Sequence, residues 1–225
     1  MRMELVIGNK NYSSWSLRPW LLMKATGLAF EEILVLLDTP TMTSDIKVYN
    51  PSGTVPALII HHDSGEKEII GDSLAIAETL AERFPEAGVW PQDLRLRAQA
   101  RSIAAEMHSS FMALRSQMPM NIRRKKWKRG PLQPTPDTEK NIARIEEIWA
   151  GCRNDPKRPE GDFLYGPFSA ADAMYAPVAS RLYTYEVPLS APSQAYIEAI
   201  YALPAMQQWI IAAEAEEWTI EREEI

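Results

Sequence analysis

Hydrophobic and polar positions change their spacing about a third of the way along the chain. Up to residue 84, short runs of consecutive apolar residues alternate with stretches of helical spacing, which predicts a mixed α/β unit. Further on, apolar residues recur at intervals of three and four, which predicts helices alone. Pro85 and Pro91 interrupt the pattern and predict a linker. We therefore expect two domains, at 1–84 and 94–225, joined by a linker at 85–93.

Four short apolar runs predict strands in the first unit. They are Leu5–Ile7, Phe30–Leu36, Ala57–Ile60 and Glu68–Ile70. Helices are predicted to begin near Leu17 and near Asp72, and the polar stretch 38–52 is predicted to be mostly loop, with a short helix as the alternative. This order is a βαβ unit followed by two strands and a helix.

The second unit has the periodicity of a helical bundle. One long helix is predicted from a series of residues at helical spacing: Ile103, Met107, Ser110, Leu114 and Met118. Another is predicted over 142–149, ending at Gly151. Ser169 and Asp172 are three residues apart, as in a capping box, and predict the start of a third helix. Apolar residues at 197–201 and 206–210 predict the last two helices.

Composition and charge exclude several classes of protein. Of 225 residues, 46% are hydrophobic and 24% are charged, which is ordinary for a globular protein and excludes wholesale disorder. The net charge of -6 argues against nucleic-acid binding. The single cysteine, Cys152, has no partner for an internal disulfide. Because neither a secretory leader nor a membrane-spanning apolar stretch is visible, we expect a cytoplasmic protein.

Four short motifs carry a resemblance to a known family. They are Asn11–Arg18 with three serines around a tryptophan, Asn50–Leu58 with a Val-Pro pair, Gly71–Ile76 with an Asp-Ser pair, and Ser169–Asp172. In this order and spacing they resemble the cytosolic glutathione transferases, especially the serine-type zeta and theta classes. The resemblance covers nearly the whole chain. It implies a thioredoxin-like domain with a mixed four-stranded sheet, followed by an all-helical domain.

The same resemblance implies that the protein activates the thiol of glutathione. A free thiol has a pKa of about 8.5 and reacts as the thiolate, so lowering that pKa by two units takes about 2.7 kcal/mol. A donated hydroxyl and a helix N-terminus can both contribute. Ser13 and Ser14 directly precede a predicted helix; Ser13 matches the zeta-class catalytic serine, and Ser14 is the second candidate donor. Tyr12 fits this role less well, and from spacing alone either serine could simply cap the helix.

The resemblance places Val55, Pro56, Asp72 and Ser73 against glutathione, and Lys47 is a further candidate that the resemblance does not assign. It implies a cis bond between Val55 and Pro56, with the backbone of Val55 pairing with the cysteinyl part of glutathione like a short strand. Ser73 is expected to bind the γ-glutamyl carboxylate at a helix end, and Asp72 to accept from the amine, in its own subunit or across a dimer interface. Lys47 and Asn50 are the candidates for the glycine carboxylate.

The second substrate is expected between the two domains, where ligand pockets often lie. The candidate lining residues are Tyr12, Trp15, Met107, His108, Phe111, Met112 and Arg115. Trp15 could stack on an electrophile, and Arg115 could hold an acidic one. The zeta-class motif has a cysteine where Trp15 stands, and that cysteine is tied to the isomerase activity of the class.

Transfer of glutathione to a small electrophile is therefore the predicted activity, and the resemblance implies a homodimer. Two alternatives stay open: a glutathione-dependent isomerase of the maleylacetoacetate type, and a non-catalytic ligand-binding or interaction module on the same fold. No metal is expected, because His61 and His62 are adjacent and lack a third distant ligand. The basic run 123–129 is expected to be a solvated loop after a helix end.

Overall fold

Four strands and nine helices make up the chain in the computed structural model, which describes residues 1–225. The first part contains β1 Arg2–Ile7, α1 Ser14–Ala25, β2 Glu31–Leu34, α2 Met42–Lys47, β3 Ala57–His61, β4 Lys67–Gly71 and α3 Ser73–Arg83. Helices alone follow: α4 Leu94–Ser109, α5 Met112–Gln117, α6 Pro136–Arg153, α7 Ala170–Thr184, α8 Ala191–Ala202 and α9 Pro204–Ala215. None of them combines the length and the apolar character needed to cross a membrane.

The four strands form one mixed sheet in the order β2-β1-β3-β4. Strands β1 and β2 are parallel, because α1 carries the chain back between them. Strand β3 is antiparallel to β1 and also to β4, to which a short hairpin joins it. The predicted α/β sheet with an all-helical second part is thereby confirmed.

Helix α1 lies between the sheet and the helical part of the chain, and it packs against α7. Leu17, Leu21 and Met23 have no exposed surface, and Trp20 is 2% exposed. Trp20 also meets Trp209 of α9 edge to face, with ring centres 5.1 Å apart. Because α1 is buried on nearly all sides, its first turn is held in a fixed place.

The single helix predicted through Ile103 and Met118 is two helices in the structure. Phe111 has a left-handed backbone with φ 63°, which separates α4 from α5. Arg115 folds back from α5 and donates to the carbonyl oxygens of Met107 and His108 at the end of α4, as basic residues commonly do at helix C-termini. The apolar spacing continues across the break, so the sequence pattern did not reveal it.

The predicted capping box at the start of α7 is confirmed. Asp172 is completely buried and accepts hydrogen bonds from the N–H groups of Leu164 and Ser169, both at 2.9 Å. The hydroxyls of Ser169 and Tyr196 also donate to it, at 3.0 and 3.1 Å. Burial raises the pKa of this carboxyl to about 6 although the donors oppose the shift. Asp172 therefore ties three segments of the helical part together.

Candidate active site

The loop after β1 places two serines at the amino end of α1. Ser13 is the N-cap residue: its Oγ accepts from the N–H of Ser16 at 3.3 Å and donates to the Oγ of Ser16 at 2.7 Å. The Oγ of Ser16 also accepts from the N–H of Gly8 at 3.0 Å. Ser14 begins the helix, and its hydroxyl forms no hydrogen bond within the chain. Both serines lie where the helix dipole favours a negative charge.

The hydrogen bond between Ser13 and Ser16 can reverse its direction, which would free the Ser13 proton for another acceptor. A hydrogen bond to a charged acceptor is roughly twice as strong as one between neutral groups. A thiolate nearby would therefore attract the Ser13 proton, and Ser16 could then donate its own proton to Ser13 across the same 2.7 Å. Ser16 contacts Ser13 in this way but was not among the predicted site residues, although its spacing of three from Ser13 was visible.

Two adjoining cavities, each of about 560 Å³, open beside this loop. We call them the loop cavity, which is bounded by the segment 50–56 and by Gly71 and Asp72, and the cleft cavity, which lies between the two parts of the chain. Trp15 and Val55 belong to the walls of both. The two cavities therefore adjoin each other at the amino end of α1.

Most of the sequence-predicted site residues line these two cavities, but Ser73 lines neither. The cleft cavity is lined by eight of them: Tyr12, Ser13, Ser14, Trp15, Val55, His108, Met112 and Arg115. Met107 and Phe111 do not line it, because both are buried in the hydrophobic core of the helical part. Lys47 is exposed outside both cavities, with its aliphatic chain against Gly53.

The bond between Val55 and Pro56 is cis, which confirms the expectation from the resemblance. Neither the backbone N–H nor the C=O of Val55 forms a hydrogen bond within the chain. Asn50 holds the loop in shape by donating from its side chain to the carbonyl of Thr54 at 2.7 Å. The loop cavity therefore presents a free backbone donor and acceptor of the kind that pairs with an extended peptide.

Asp72 and Ser73 lie at the amino end of α3. Asp72 is the N-cap residue with a left-handed φ of 74°, and its Oδ1 accepts from the N–H groups of Leu74 and Ala75. Ser73 is only 1% exposed, and the Nη1 of Arg18 approaches its hydroxyl at 3.4 Å. This helix end combines one backbone donor without a partner, the N–H of Ser73, with the cation of Arg18, and both favour an anion.

Three arginines gather around the cleft without a carboxylate partner. Arg18 and Arg181 are almost fully buried, and the polar contacts of Arg18, Arg115 and Arg181 are to hydroxyl or carbonyl oxygens. Burial, reinforced by the neighbouring arginines, lowers the pKa of Arg18 to about 9 and that of Arg181 to about 10. These pKa values still leave both guanidinium groups charged at neutral pH. The cleft wall therefore carries an excess of positive charge that an anion can neutralise.

Trp15 is packed among these cations. The guanidinium carbon of Arg18 lies 4.1 Å from the indole ring centre and that of Arg115 lies 5.2 Å away, both within the range of cation–π attraction. His108 meets the same ring edge to face at 5.1 Å. Trp15, which stands where the zeta-class motif has a cysteine, thus contacts two arginines and a histidine at the boundary between the cavities.

The basic run 123–129 differs from its prediction as a solvated loop. Arg123 and Arg124 are buried, and only the cations from Lys125 onward are exposed. Arg123 donates to the carbonyl oxygens of Glu216 and Trp218, and Arg124 to that of Ile225 at 3.1 Å. These carbonyls, more than 90 residues away along the chain, supply the acceptors that make burial of the two guanidinium groups possible.

Residues 216–225 form a strap across the cleft cavity. Ile220, Arg222 and Glu223 line the cavity, Trp218 donates from its indole to the carbonyl of Leu37 at 2.9 Å, and Arg222 pairs with Asp38. The strap therefore closes the cleft between the helical part and the loop after β2.

Tyr12 joins this strap to the serine loop. Its hydroxyl donates to Oε1 of Glu224 at 2.5 Å and accepts from Arg123 at 2.9 Å. Burial, and then the hydrogen bond to Glu224, raises the pKa of this phenol. The ring of Tyr12 lines the cleft cavity, but its hydroxyl is already engaged.

The two adjacent histidines have separate partners. His61 contacts Glu4 at 2.7 Å and His62 contacts Glu68 at 2.9 Å. No group of three or more His, Cys, Asp or Glu side chains in the chain is arranged to hold a metal ion. The histidine pair is thus part of the surface charge pattern of the sheet.

Arg18, Arg181 and the strap were not among the predicted substrate residues. Arg18 and Arg181 lie on predicted helices, where the local sequence does not distinguish an arginine facing a cleft from one facing solvent. The strap follows the last predicted helix and carries no motif. Only the packing of distant segments brings these residues to the site.

Comparison with known proteins places this chain in a family. A family profile described as the N-terminal domain of glutathione S-transferase matches residues 12–83. Glutathione S-transferase Z1 of Arabidopsis thaliana is 32% identical over 181 residues, covering 75% of this chain and 74% of the relative. Among solved structures, a Burkholderia glutathione transferase homologue with bound glutathione is 24% identical, with a TM-score of 0.67 over 96% of this chain and 100% of its own. Maleylacetoacetate isomerase from Anaeromyxobacter dehalogenans, with dicarboxyethyl glutathione and citrate in its active site, is 25% identical, with a TM-score of 0.62 over 92% of this chain and 94% of its own. The chain belongs to the glutathione S-transferase family.

Proposed function

We propose that this protein is a glutathione transferase that binds glutathione in the loop cavity and an electrophile in the cleft cavity. The observation that carries the proposal is the free backbone of Val55, beside a cis proline and next to the serines at the amino end of α1. A cysteinyl residue paired with Val55 would bring its sulfur to the boundary between the cavities. There Ser13, with Ser14 as second donor, stabilises the thiolate that attacks the electrophile.

The remaining groups of glutathione are assigned by charge. Ser73, the amino end of α3 and the cation of Arg18 suit the γ-glutamyl carboxylate. Asp72 suits the γ-glutamyl ammonium. Lys47 remains the candidate for the glycine carboxylate, with Asn50 nearer to the loop cavity as the alternative.

Ser73→Ala is expected to weaken glutathione binding more than it slows the chemical step, because its hydroxyl lies away from the sulfur. Losing a hydrogen bond to a charged group costs about 1.5–3 kcal/mol, or roughly 10–150-fold in affinity. Calorimetric titration with glutathione and turnover at saturating glutathione measure the two effects separately. Ser64→Ala, in the exposed hairpin between β3 and β4 and outside both cavities, is the matched control.

An unchanged affinity in Ser73→Ala would remove Ser73 from the site. Binding of glutathione without turnover of any small electrophile would instead favour the non-catalytic module.

A second candidate function is isomerisation of an unsaturated dicarboxylate by reversible addition of the same thiolate. Arg115 and Arg181 line the cleft cavity as cations without carboxylate partners, so they suit an acidic acceptor. The two ligands in the Anaeromyxobacter isomerase are also rich in carboxylates. Isomerised product with glutathione regenerated would identify this reaction, whereas a stable adduct would identify transfer.

Arg115→Gln tests whether the acceptor is acidic. We expect the KM for an α,β-unsaturated dicarboxylate to rise about tenfold, because a charged hydrogen bond is lost, while the KM for its neutral diester stays within about twofold. The exposed Arg144→Gln on α6 is the control and should change neither. Equal effects on the acid and the ester would contradict an acidic acceptor.

We further propose that the protein acts as a cytoplasmic homodimer, with the domains and linker divided at 1–84, 85–93 and 94–225. Family membership supports each of these assignments. Light scattering of the purified protein measures the oligomeric state directly, and a mass equal to one chain would contradict the dimer.

A further inference from the structure

One oxygen of Asp72 is free of helix capping, and His108 contacts it. Oδ1 accepts from Leu74 at 2.8 Å and from Ala75 at 3.3 Å. Oδ2 accepts from neither, but it lies 3.3 Å from Nε2 of His108. A ligand ammonium that binds Asp72 without uncapping α3 must therefore use the oxygen that His108 already contacts.

The surroundings of His108 favour its neutral form. Burial lowers the pKa of the imidazole, Asp72 opposes this, and the cations of Arg18 and Arg115 lower the pKa further. The indole of Trp15 covers one edge of the ring, and Nδ1 is buried without a partner. Asp72 from α3, Arg18 from α1 and Arg115 from α5 are the charged groups that face this histidine.

We propose that His108 competes with the γ-glutamyl ammonium of glutathione for Oδ2 of Asp72, so that protonation of His108 drives glutathione from the site. The inference rests on the proposed function, in which Asp72 receives that ammonium. A neutral imidazole contacts the carboxylate at 3.3 Å without adding a charge, so it opposes an incoming ammonium only weakly. An imidazolium adds a full charge to that contact and also repels the incoming ammonium.

The consequence is a linkage between glutathione binding and one proton. Glutathione binds the form of the protein with neutral His108, so binding releases a proton and the affinity rises with pH. A single linked proton changes the affinity by at most tenfold per pH unit. Between pH 8 and pH 5, we expect the affinity of the wild-type protein to fall more than twofold, mostly at the acidic end, because the protonated fraction of His108 rises as the pH is lowered while burial holds its pKa down.

The test uses S-methylglutathione, whose blocked sulfur cannot titrate, in calorimetric titrations between pH 5 and pH 8. His108→Gln keeps a polar side chain of similar size but cannot be protonated. We expect its affinity to vary less than twofold over this range and to exceed that of the wild type at pH 5. His62→Gln is the matched control, because His62 pairs with Glu68 on the sheet, and it should keep the wild-type pH dependence.

A second ligand tests whether the amine of the γ-glutamyl group causes the pH dependence of binding. The S-methylated analogue with a glutaryl group in place of γ-glutamyl lacks the amine, so its binding to the wild type should not follow the His108 titration. Equal pH dependence in the wild type and His108→Gln would overturn the role of His108 and leave the glutathione site standing. Failure of every variant to bind S-methylglutathione at any pH would overturn the proposed function, and the competition at Asp72 with it.

Discussion

Replacing Ser13 by alanine is expected to raise the pKa of bound glutathione by about one to two units. The hydroxyl of Ser13 lies at the amino end of α1, and a hydrogen bond to a charged acceptor contributes about 1.5–3 kcal/mol. At neutral pH the turnover should fall about 10- to 100-fold, because the thiolate fraction falls with it. Raising the pH should recover part of the loss, while the glutathione affinity stays largely intact. The thiolate absorbance in a pH titration at saturating glutathione is the direct measurement.

Two further serine variants test which serine stabilises the thiolate. Ser14→Ala should shift the titration less, although its free hydroxyl makes it the second donor. Ser16→Ala should give an intermediate shift, because Ser16 positions Ser13 across 2.7 Å without touching the sulfur. A shift in Ser14→Ala with none in Ser13→Ala would assign the thiolate to the other serine. No shift in any of the three would refute the serine mechanism.

Asp172→Ala is expected to destabilise the folded protein strongly. It leaves four donors from Leu164, Ser169 and Tyr196 without their buried acceptor. Breaking a buried charged network by removing one partner costs about 3–5 kcal/mol, a large part of the stability of an ordinary domain. Urea unfolding followed by circular dichroism measures the loss. Thiolate formation in the protein that remains folded should be unchanged, since Asp172 lies outside both cavities.

An exposed aspartate in a first helical turn provides the comparison. Asp137 lies in the first turn of α6 and pairs only with Lys140, with both side chains 75% exposed. Asp137→Ala should cost less than about 1 kcal/mol. A similar small loss in Asp172→Ala would show that the buried network does not hold α7 in place.

Local sequence patterns predicted the parts of the molecule that depend on local interactions. The runs at Leu5–Ile7 and Ala57–Ile60 lie within strands, and the box at Ser169 begins a helix. Helix α6 continues past Gly151 to Arg153, because a glycine inside a helix costs only about 1 kcal/mol. Boundaries are therefore less predictable than the elements themselves.

The wall of the cleft depends on contacts between residues far apart along the chain. Phe111 has no sequence signal for its left-handed backbone, and the contact of Arg115 with the end of α4 is not visible in the apolar spacing. Arg123 appeared to belong to a solvated basic loop, because its acceptors at Glu216 and Trp218 lie far along the chain. Charge and periodicity alone do not identify such partners.

The strap at 216–225 allows acceptor preference to change separately from thiolate formation. Arg222 and Glu223 line the cleft cavity, yet neither belongs to the hydrophobic core or to the loop cavity, whereas Ile220 beside them is buried. Substitutions at Arg222 and Glu223 can alter acceptor preference at little cost to folding or to thiolate formation. In evolution, and in a selection experiment, the range of acceptors can therefore drift while the rest of the enzyme stays under purifying constraint. A library confined to these positions should yield many folded variants with altered acceptor preference.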